Sequence, residues 1–219
     1  MKISLIIPAK GNSERLQNKN LLKIKGKSLV YLACEKCLSV DIIDNVYLDT
    51  ESEKIIENVA PLIDKGLKII KRPAEMASNS FSGNDLIKFE HSKIEKSDLI
   101  LHTYSTSPLL TAETIQNVII KFLENIKEYD SFFTAVHFRE YIWKNGIPLN
   151  FDPKELPNSF DLDQNVCVET HGLYGITNSA LTRLGTRLGD KVLPVMISRD
   201  EALDINTEID FKLLEVLWN

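Results

Sequence analysis

The chain alternates short apolar runs with amphipathic segments. Residues 3–8 (Ile-Ser-Leu-Ile-Ile-Pro) are an apolar run closed by Pro8 and Gly11, the pattern of a buried strand. Residues 29–38 set Leu29, Val30, Leu32, Ala33 and Cys37 at helical spacing, and 46–49 read as a second strand. Thr50 followed by Glu53 has the form of a capping box, with Ile55, Ile56, Val59 and Leu62 at helical spacing behind it. Residues 67–70 are a third strand, 84–94 a helix and 98–104 a fourth strand. Thr111 can cap a helix that carries Ile115, Val118, Ile119, Phe122 and Leu123. Strands follow at 131–136, 173–176 and 192–197, and a last helix runs over residues 207–217.

Strand–helix–strand units with short connections predict an α/β fold, a mostly parallel sheet sandwiched by helices. Ligands of such sheets bind beyond the carboxyl ends of the strands. The loops to inspect are therefore 9–20, 71–83 and 105–110, and the segment around Asp204. Residues 137–170 break the alternation: they hold Pro148, Pro153 and Pro157, and Phe138, Tyr141 and Trp143 fall in their first seven positions. A stretch of that length without a clear period is uncommon inside a compact domain and usually functional. It reads as an inserted arm: a lid, a substrate-reading arm or a dimerisation arm. Its aromatic content argues against a loose excursion.

The 219 residues suffice for a single domain, 1–219. An apolar content of 43% and a charged content of 26% are globular values. Lys and Arg number 26 against 31 Asp and Glu, a net charge of −5. That balance argues against nucleic acid or an anionic membrane as partner, but leaves room for a small anionic ligand in a local basic pocket. No apolar stretch approaches the ~20 residues that span a bilayer. Residues 3–8 are better read as a strand than as a signal-peptide core, so a cytoplasmic protein is expected. Cys34 and Cys37 form a CxxC pair inside a helical pattern, with no second CxxC or HxxxH to complete a zinc site. A redox pair and half a zinc site are possible readings; ordinary, partly buried thiols fit the helical setting better.

The chemistry concentrates in the first loop. Pro8-Ala9-Lys10-Gly11-Asn12-Ser13-Glu14-Arg15-Leu16-Gln17-Asn18-Lys19-Asn20 follows a strand and carries a Gly, small polar residues and several cations. It is neither a Walker A loop nor a GxGxxG turn. Backbone N–H groups in such a turn can form an anion nest, with Lys and Arg neutralising phosphate; a solvated polar turn is the alternative.

The segment IIPAKGNSERLQNKN resembles the N-terminal signature of the acylneuraminate cytidylyltransferases. Four more segments resemble that family in order: RPAEMAS at 72–78, TSPLLTAETI at 106–115, HGLYGI at 171–176 and ALDINTEIDF at 202–211. The resemblance implies a nucleotide-diphospho-sugar-transferase fold of Rossmann-like type, with the 137–170 arm dimerising and helping to bind the acceptor. It implies nucleotidyl transfer: a sugar hydroxyl attacks the α-phosphate of CTP and pyrophosphate leaves, with Mg²⁺ as cofactor. The partners implied are CTP, a small anionic acceptor and a second copy of the chain. By resemblance Lys10 meets the nucleotide phosphates, Lys19 grips the leaving pyrophosphate, Asn20 and Arg72 lie at the nucleoside, and Ala9, Phe81 and Ser82 belong to the nucleotide-binding set. Asp204 matches the first of two metal-holding aspartates, and Asn206 stands where the second belongs. Both residues could instead cap the last helix.

Other departures fall on the acceptor side. Tyr104 and Leu110 replace a Gln and an Arg, and Glu169 stands near where many members carry an Arg that would suit a sugar carboxylate. Arg139 and Lys144 in the arm are candidate replacements. The resemblance thus implies CMP transfer to a sialic-acid-like nonulosonic acid. The alternatives are a phosphonate or other acceptor, or a degenerate nucleotide-binding homologue. Of the histidines, His171 lies in a motif and His102 in the fourth strand, where a satisfied core position is expected; neither is assigned as a base.

Overall fold

A computed structural model describes every residue except 14, 79, 163–165 and 219. Seven strands form the main sheet: β1 (Ile3–Pro8), β2 (Asn45–Thr50), β3 (Leu67–Lys71), β4 (Leu99–Thr103), β5 (Ser131–His137), β6 (Cys167–Thr177) and β7 (Val192–Met196). Their order is β7-β5-β6-β4-β1-β2-β3. β6 is antiparallel to both neighbours, and the remaining pairs are parallel. The sheet is mostly parallel, as the alternation predicts.

Helices cover both faces because the strands are apolar on both. Leu5 and Ile7 of β1, Leu48 of β2 and Leu101 of β4 pack with α1 (Leu29–Leu38), α2 (Glu53–Ile63) and α4 (Ala112–Glu124). The alternate positions Ile6, Tyr47, Ile100 and Ile176 pack on the other face with Ile87 of α3 (Gly83–His91) and Ala180 and Leu181 of α5 (Asn178–Leu184). The last helix, α6 (Glu208–Leu217), buries Leu214 against Ile24, Leu29 and Ile205.

Several expectations need correcting. The capping box at Thr50 does not form. Thr50 ends β2, Ser52 takes the N-cap position of α2 without a side-chain capping bond, and the Thr50 hydroxyl accepts the Ser52 N–H at 3.1 Å. Strand pairing of Thr50 with Lys71 outcompetes the local cap. Thr111 does cap α4, accepting from the Thr114 N–H at 3.1 Å. Neither Asp204 nor Asn206 caps α6. Thr207 does, in a capping box with Asp210. The last expected strand before α5, 173–176, is only the second half of β6. Its first half lies inside the arm, hidden by the polar run Glu169-Thr170-His171.

The arm has structure of its own. Trp143–Lys144 pairs with Ile147–Pro148 across Asn145-Gly146, both at positive φ (51° and 78°), the geometry that a two-residue hairpin favours. Tyr141 and Trp143 set their rings edge-on to Phe151 at 4.8 and 5.3 Å. Cys34 and Cys37 are fully buried on α1, and burial pushes the Cys37 thiol up to about 12 and raises that of Cys34 as well. They are inert packing thiols.

Candidate active site

The carboxyl ends of β1, β3 and β4 open into a cleft of ≈ 460 Å³. Four cations line it: Lys10, Arg15, Lys19 and Arg72. In a chain of net charge −5 this is a strong local excess of positive charge. Lys10, Arg15 and Lys19 come from the loop after β1, and Arg72 follows β3, so the topology gathers them at the edge where parallel sheets bind ligands.

Close packing shapes the first loop. An ideal Cβ on Gly11 would lie 2.7 Å from the Ser52 Cβ, so only glycine fits. The Gly11 N–H donates to the Glu51 carboxylate at 2.6 Å. That amide is turned away from the anion-nest role that the loop suggested, and cationic side chains carry the positive charge instead. Asn20 is buried and fastens two loops together. Its amide donates to the Lys10 carbonyl at 2.7 Å and its Oδ1 accepts from the Ser105 hydroxyl at 2.5 Å. Lys36, half-buried on α1, reaches under the loop after β4, where its ammonium donates to the carbonyls of Leu110 (2.5 Å) and Pro108 (3.3 Å).

Lys19 is half-buried. Burial holds its pKa below the ordinary lysine value; Asp204 opposes that shift, and Arg15 and Lys10 add to it. Crowded cations of this kind favour an anionic ligand. The Lys19 Nζ lies 3.5 Å from Asn206 Oδ1, and the Asn206 amide donates to Asp204 Oδ2 at 2.7 Å. Ile205, between them, donates its N–H to the Thr106 carbonyl at 2.8 Å, which ties this segment to the cleft. Asp204 Oδ1 is buried without a hydrogen-bond partner.

Arg72 is buried, and its Nη2 donates to the Asp49 carbonyl at 2.8 Å. Three expected nucleotide residues lie outside the cleft lining. Ala9 is buried, with its N–H on the Asp49 carbonyl at 2.9 Å. Phe81 is exposed. Ser82 caps α3 through the Asp85 N–H and borders a separate cleft with Asn84 and Arg187.

The acceptor-side departures have a partner that no motif announced. The guanidinium of Arg187 lies 3.8 Å over the Tyr174 ring, donates to the Tyr104 hydroxyl at 3.1 Å and meets Glu169 at 3.3 Å. Glu169, which looked repulsive to a carboxylate ligand, is therefore neutralised. A register break in β6 between Glu169 and Tyr174, with His171 at φ 55°, brings both side chains to Arg187. Leu110 is core. His102 is the core residue expected, but not a satisfied one: its Nε2 lies 2.8 Å from Glu90 Oε2 without forming a hydrogen bond.

An α/β sheet with a cationic cleft at its carboxyl edge defines a scaffold for a polyanionic ligand such as a nucleotide. The Cytidylyltransferase family matches residues 4–160, and the chain belongs to that family. It is 31% identical over 231 residues to the pseudaminic acid cytidylyltransferase of Campylobacter jejuni, covering 100% of this chain and 97% of that protein. It is 25% identical over 221 residues to N-acylneuraminate cytidylyltransferase A of Danio rerio, covering 97% of this chain. The chain spans 50% of that second relative. A solved CMP:2-keto-3-deoxy-manno-octonic acid synthetase, complexed with CTP, shares the fold at a TM-score of 0.67 and 15% identity, covering 100% of this chain and 98% of that one. Among the described residues no helix is long and apolar enough to cross a membrane.

Proposed function

We propose that the chain transfers CMP from CTP to an acidic sugar of the nonulosonic-acid type, releasing pyrophosphate, in the cytoplasm. The observation that carries this reading is convergence: Lys10, Lys19, Asn20 and Arg72, from two motifs far apart in sequence, line one cleft, and the Lys19 ammonium reaches Asn206 of a third. The sugar hydroxyl attacks the α-phosphorus, the bond to the β-phosphate oxygen breaks, and the hydroxyl proton goes to solvent. Lys10, Arg15 and Lys19 neutralise the triphosphate and the departing pyrophosphate. Asn20 and Arg72 fix the nucleotide end.

The residues at Asp204 fit a hard cation. Among the described residues no three His, Cys, Asp or Glu converge, but Mg²⁺ takes one or two protein carboxylates and completes its shell with phosphate oxygens and water. Asp204 Oδ1, buried without a partner, supplies such a ligand, and Asn206 orients it. Mg²⁺ bound there would offset charge on the phosphates.

Arg187 supports an acidic acceptor, since it presents a cation beside Tyr104, which lines the cleft. The arm supports a homodimer: Ile147, Leu149, Leu156 and Phe160 on it are large, apolar and exposed. The test is pyrophosphate release from CTP and Mg²⁺ with sialic acid, other nonulosonic acids, Kdo and hydroxyalkyl phosphonates. Release with one sugar acid names the substrate. Release only with phosphonates replaces the sugar reading, and CTP binding without release across the panel points to a binding-only homologue.

A further inference from the structure

Two walls of the cleft hang on one turn. Pro8 and Asp49 pair at the carboxyl ends of β1 and β2, and the chain then passes through Glu51 and Ser52 into α2. The Asp49 carbonyl accepts the Ala9 N–H at 2.9 Å and the Arg72 Nη2 at 2.8 Å, and the Thr50 carbonyl accepts the Arg72 N–H at 3.2 Å. These bonds fix where the first loop leaves the sheet and where Arg72 starts.

Glu51 extends the tie into the loop. Its Oε1 accepts the Gly11 N–H at 2.6 Å, and its Oε2, buried without a hydrogen-bond partner, lies 3.6 Å from Arg72 Nε. The short Gly11 bond is what a charged acceptor gives. The missing side chain at residue 11 permits it, since an ideal Cβ there would stand 3.2 Å from Oε1. Glu51 is half-buried and the Arg72 side chain is only 4% exposed, so salt screens this pair less than a surface pair. Asp49 also faces Arg72, at 3.3 Å, but neither of its carboxylate oxygens accepts a hydrogen bond, so it does not hold the Gly11 amide. Asn20 fastens the same loop to Ser105 rather than to Arg72. Of these groups, Glu51 is the one that touches both walls.

We infer that Glu51 is a positioning residue for the transfer reaction: one carboxylate holds the phosphate-binding loop and the nucleoside-end arginine at a fixed spacing, and so sets the triphosphate in register with the nucleoside. The α-phosphorus that the acceptor hydroxyl attacks lies between those two ends of CTP. An error of about 1 Å in its placement can cost about a hundredfold in rate. Glu51 forms no bond to substrate; it acts through the Gly11 amide and the Arg72 guanidinium, and setting their spacing in advance lowers the ordering that CTP must impose.

This inference rests on the reading of the cleft as a CTP site. It is tested by calorimetric titration of the wild type, Glu51→Gln and Glu51→Asp with CTP, CMP and inorganic pyrophosphate, each with Mg²⁺. The Gly11 N–H and the Arg72 Nε–H are both donors, and an amide has one acceptor oxygen. Gln therefore serves one of them and turns its own donors on the other. Asp keeps the charge on a stem one methylene shorter and reaches one wall at most. CMP and pyrophosphate are the two halves of CTP. The product of their Kd values, divided by the Kd of CTP, is the effective concentration that linking them gives. In the variants each half should bind within about threefold of wild type, while this effective concentration falls about tenfold or more. A merely structural role would weaken the halves as much as the whole, and the effective concentration would not fall. An effective concentration unchanged in both variants would overturn the inference, as would loss of all three ligands from both. Absence of CTP binding by the wild type would instead remove the CTP reading, and the inference with it.

Discussion

Arg187→Met keeps an unbranched apolar stem and removes a guanidinium that makes three contacts. The charge stacks 3.8 Å over the Tyr174 ring, worth about 1 kcal/mol at a half-buried site. The 3.1 Å bond to the Tyr104 hydroxyl adds about 1 kcal/mol. The ion pair with Glu169 joins side chains 27% and 32% exposed, so screening limits it to about 0.5–1 kcal/mol. The expected loss is therefore about 2–3 kcal/mol, read from urea midpoints at constant slope. A double-mutant cycle with Glu169→Gln should return only the ion-pair share, about 0.5–1 kcal/mol, and that share should shrink in high salt. In turnover, the acceptor KM should rise while the CTP KM stays put. A stability loss under about 0.5 kcal/mol would refute the three-contact geometry. An equal rise in both KM values would refute the placing of Arg187 on the acceptor side.

Three further outcomes are expected. Asp204→Ala should cut turnover by about a hundredfold or more, the order seen when one preorganised charge-stabilising group is removed. Its melting temperature should change little, because removing the buried, unpartnered Oδ1 offsets the loss of the Asn206 bond to Oδ2; undiminished turnover would discard Asp204 as a metal ligand. Gly175→Ala places a Cβ 2.0 Å from Phe132 Cε1, and Phe132 is fully buried against Phe122 at 4.9 Å. The loss should be about 3 kcal/mol or more, with part recovered when Phe132→Leu is added; strictly additive losses would refute the clash. Glu95 sits between Lys2 and Lys68, whose hydrogen bonds hold its carboxyl down at about 2 against an ordinary 4.5. A depressed folded pKa contributes stability that is complete above the ordinary value and lost as pH falls toward the folded one. Glu95→Gln should therefore flatten the acid limb of the stability curve in that window, and an unaltered limb would refute the bridge.

The strands legible in sequence were those buried on both faces. β1 and β4 read as continuous apolar runs because α1, α2 and α4 cover one side and α3 and α5 the other. β6 was half legible: its first half exposes Val168 and buries Thr170, and the register then breaks between Glu169 and Tyr174, so no apolar period survives. The arm hairpin did carry a signal, the Asn145-Gly146 pair between Trp143 and Ile147, which the prolines and aromatics around it masked. Thr50 shows the opposite failure, a correct local motif overruled by pairing with β3. Within the site, contiguous motifs pointed to Lys10, Lys19, Asn20 and Arg72, and these four line one cleft. Arg187 and Lys36 were not legible, because they act on residues 83 and 74 positions away. No spacing rule reaches that far, and only the closed sheet brings such pairs together.

Asn206 shows why a departure from a motif must be judged by its contacts. Read as a sequence, an Asn in place of a second aspartate weakens a metal site by one charge. In the fold its amide donates to Asp204 Oδ2 at 2.7 Å while its carbonyl oxygen lies 3.5 Å from the Lys19 ammonium. An aspartate in the same place would set two carboxylates against each other whenever no cation stood between them. The amide removes that repulsion, fixes the Asp204 rotamer and leaves Oδ1 as the one uncommitted oxygen. Lys19 is tied to the same group, so on the proposed reading a cation for the pyrophosphate and a ligand for Mg²⁺ would be held in register before substrate arrives. The substitution gives up charge and gains preorganisation, and the second of these lowers the cost of ordering the site on binding.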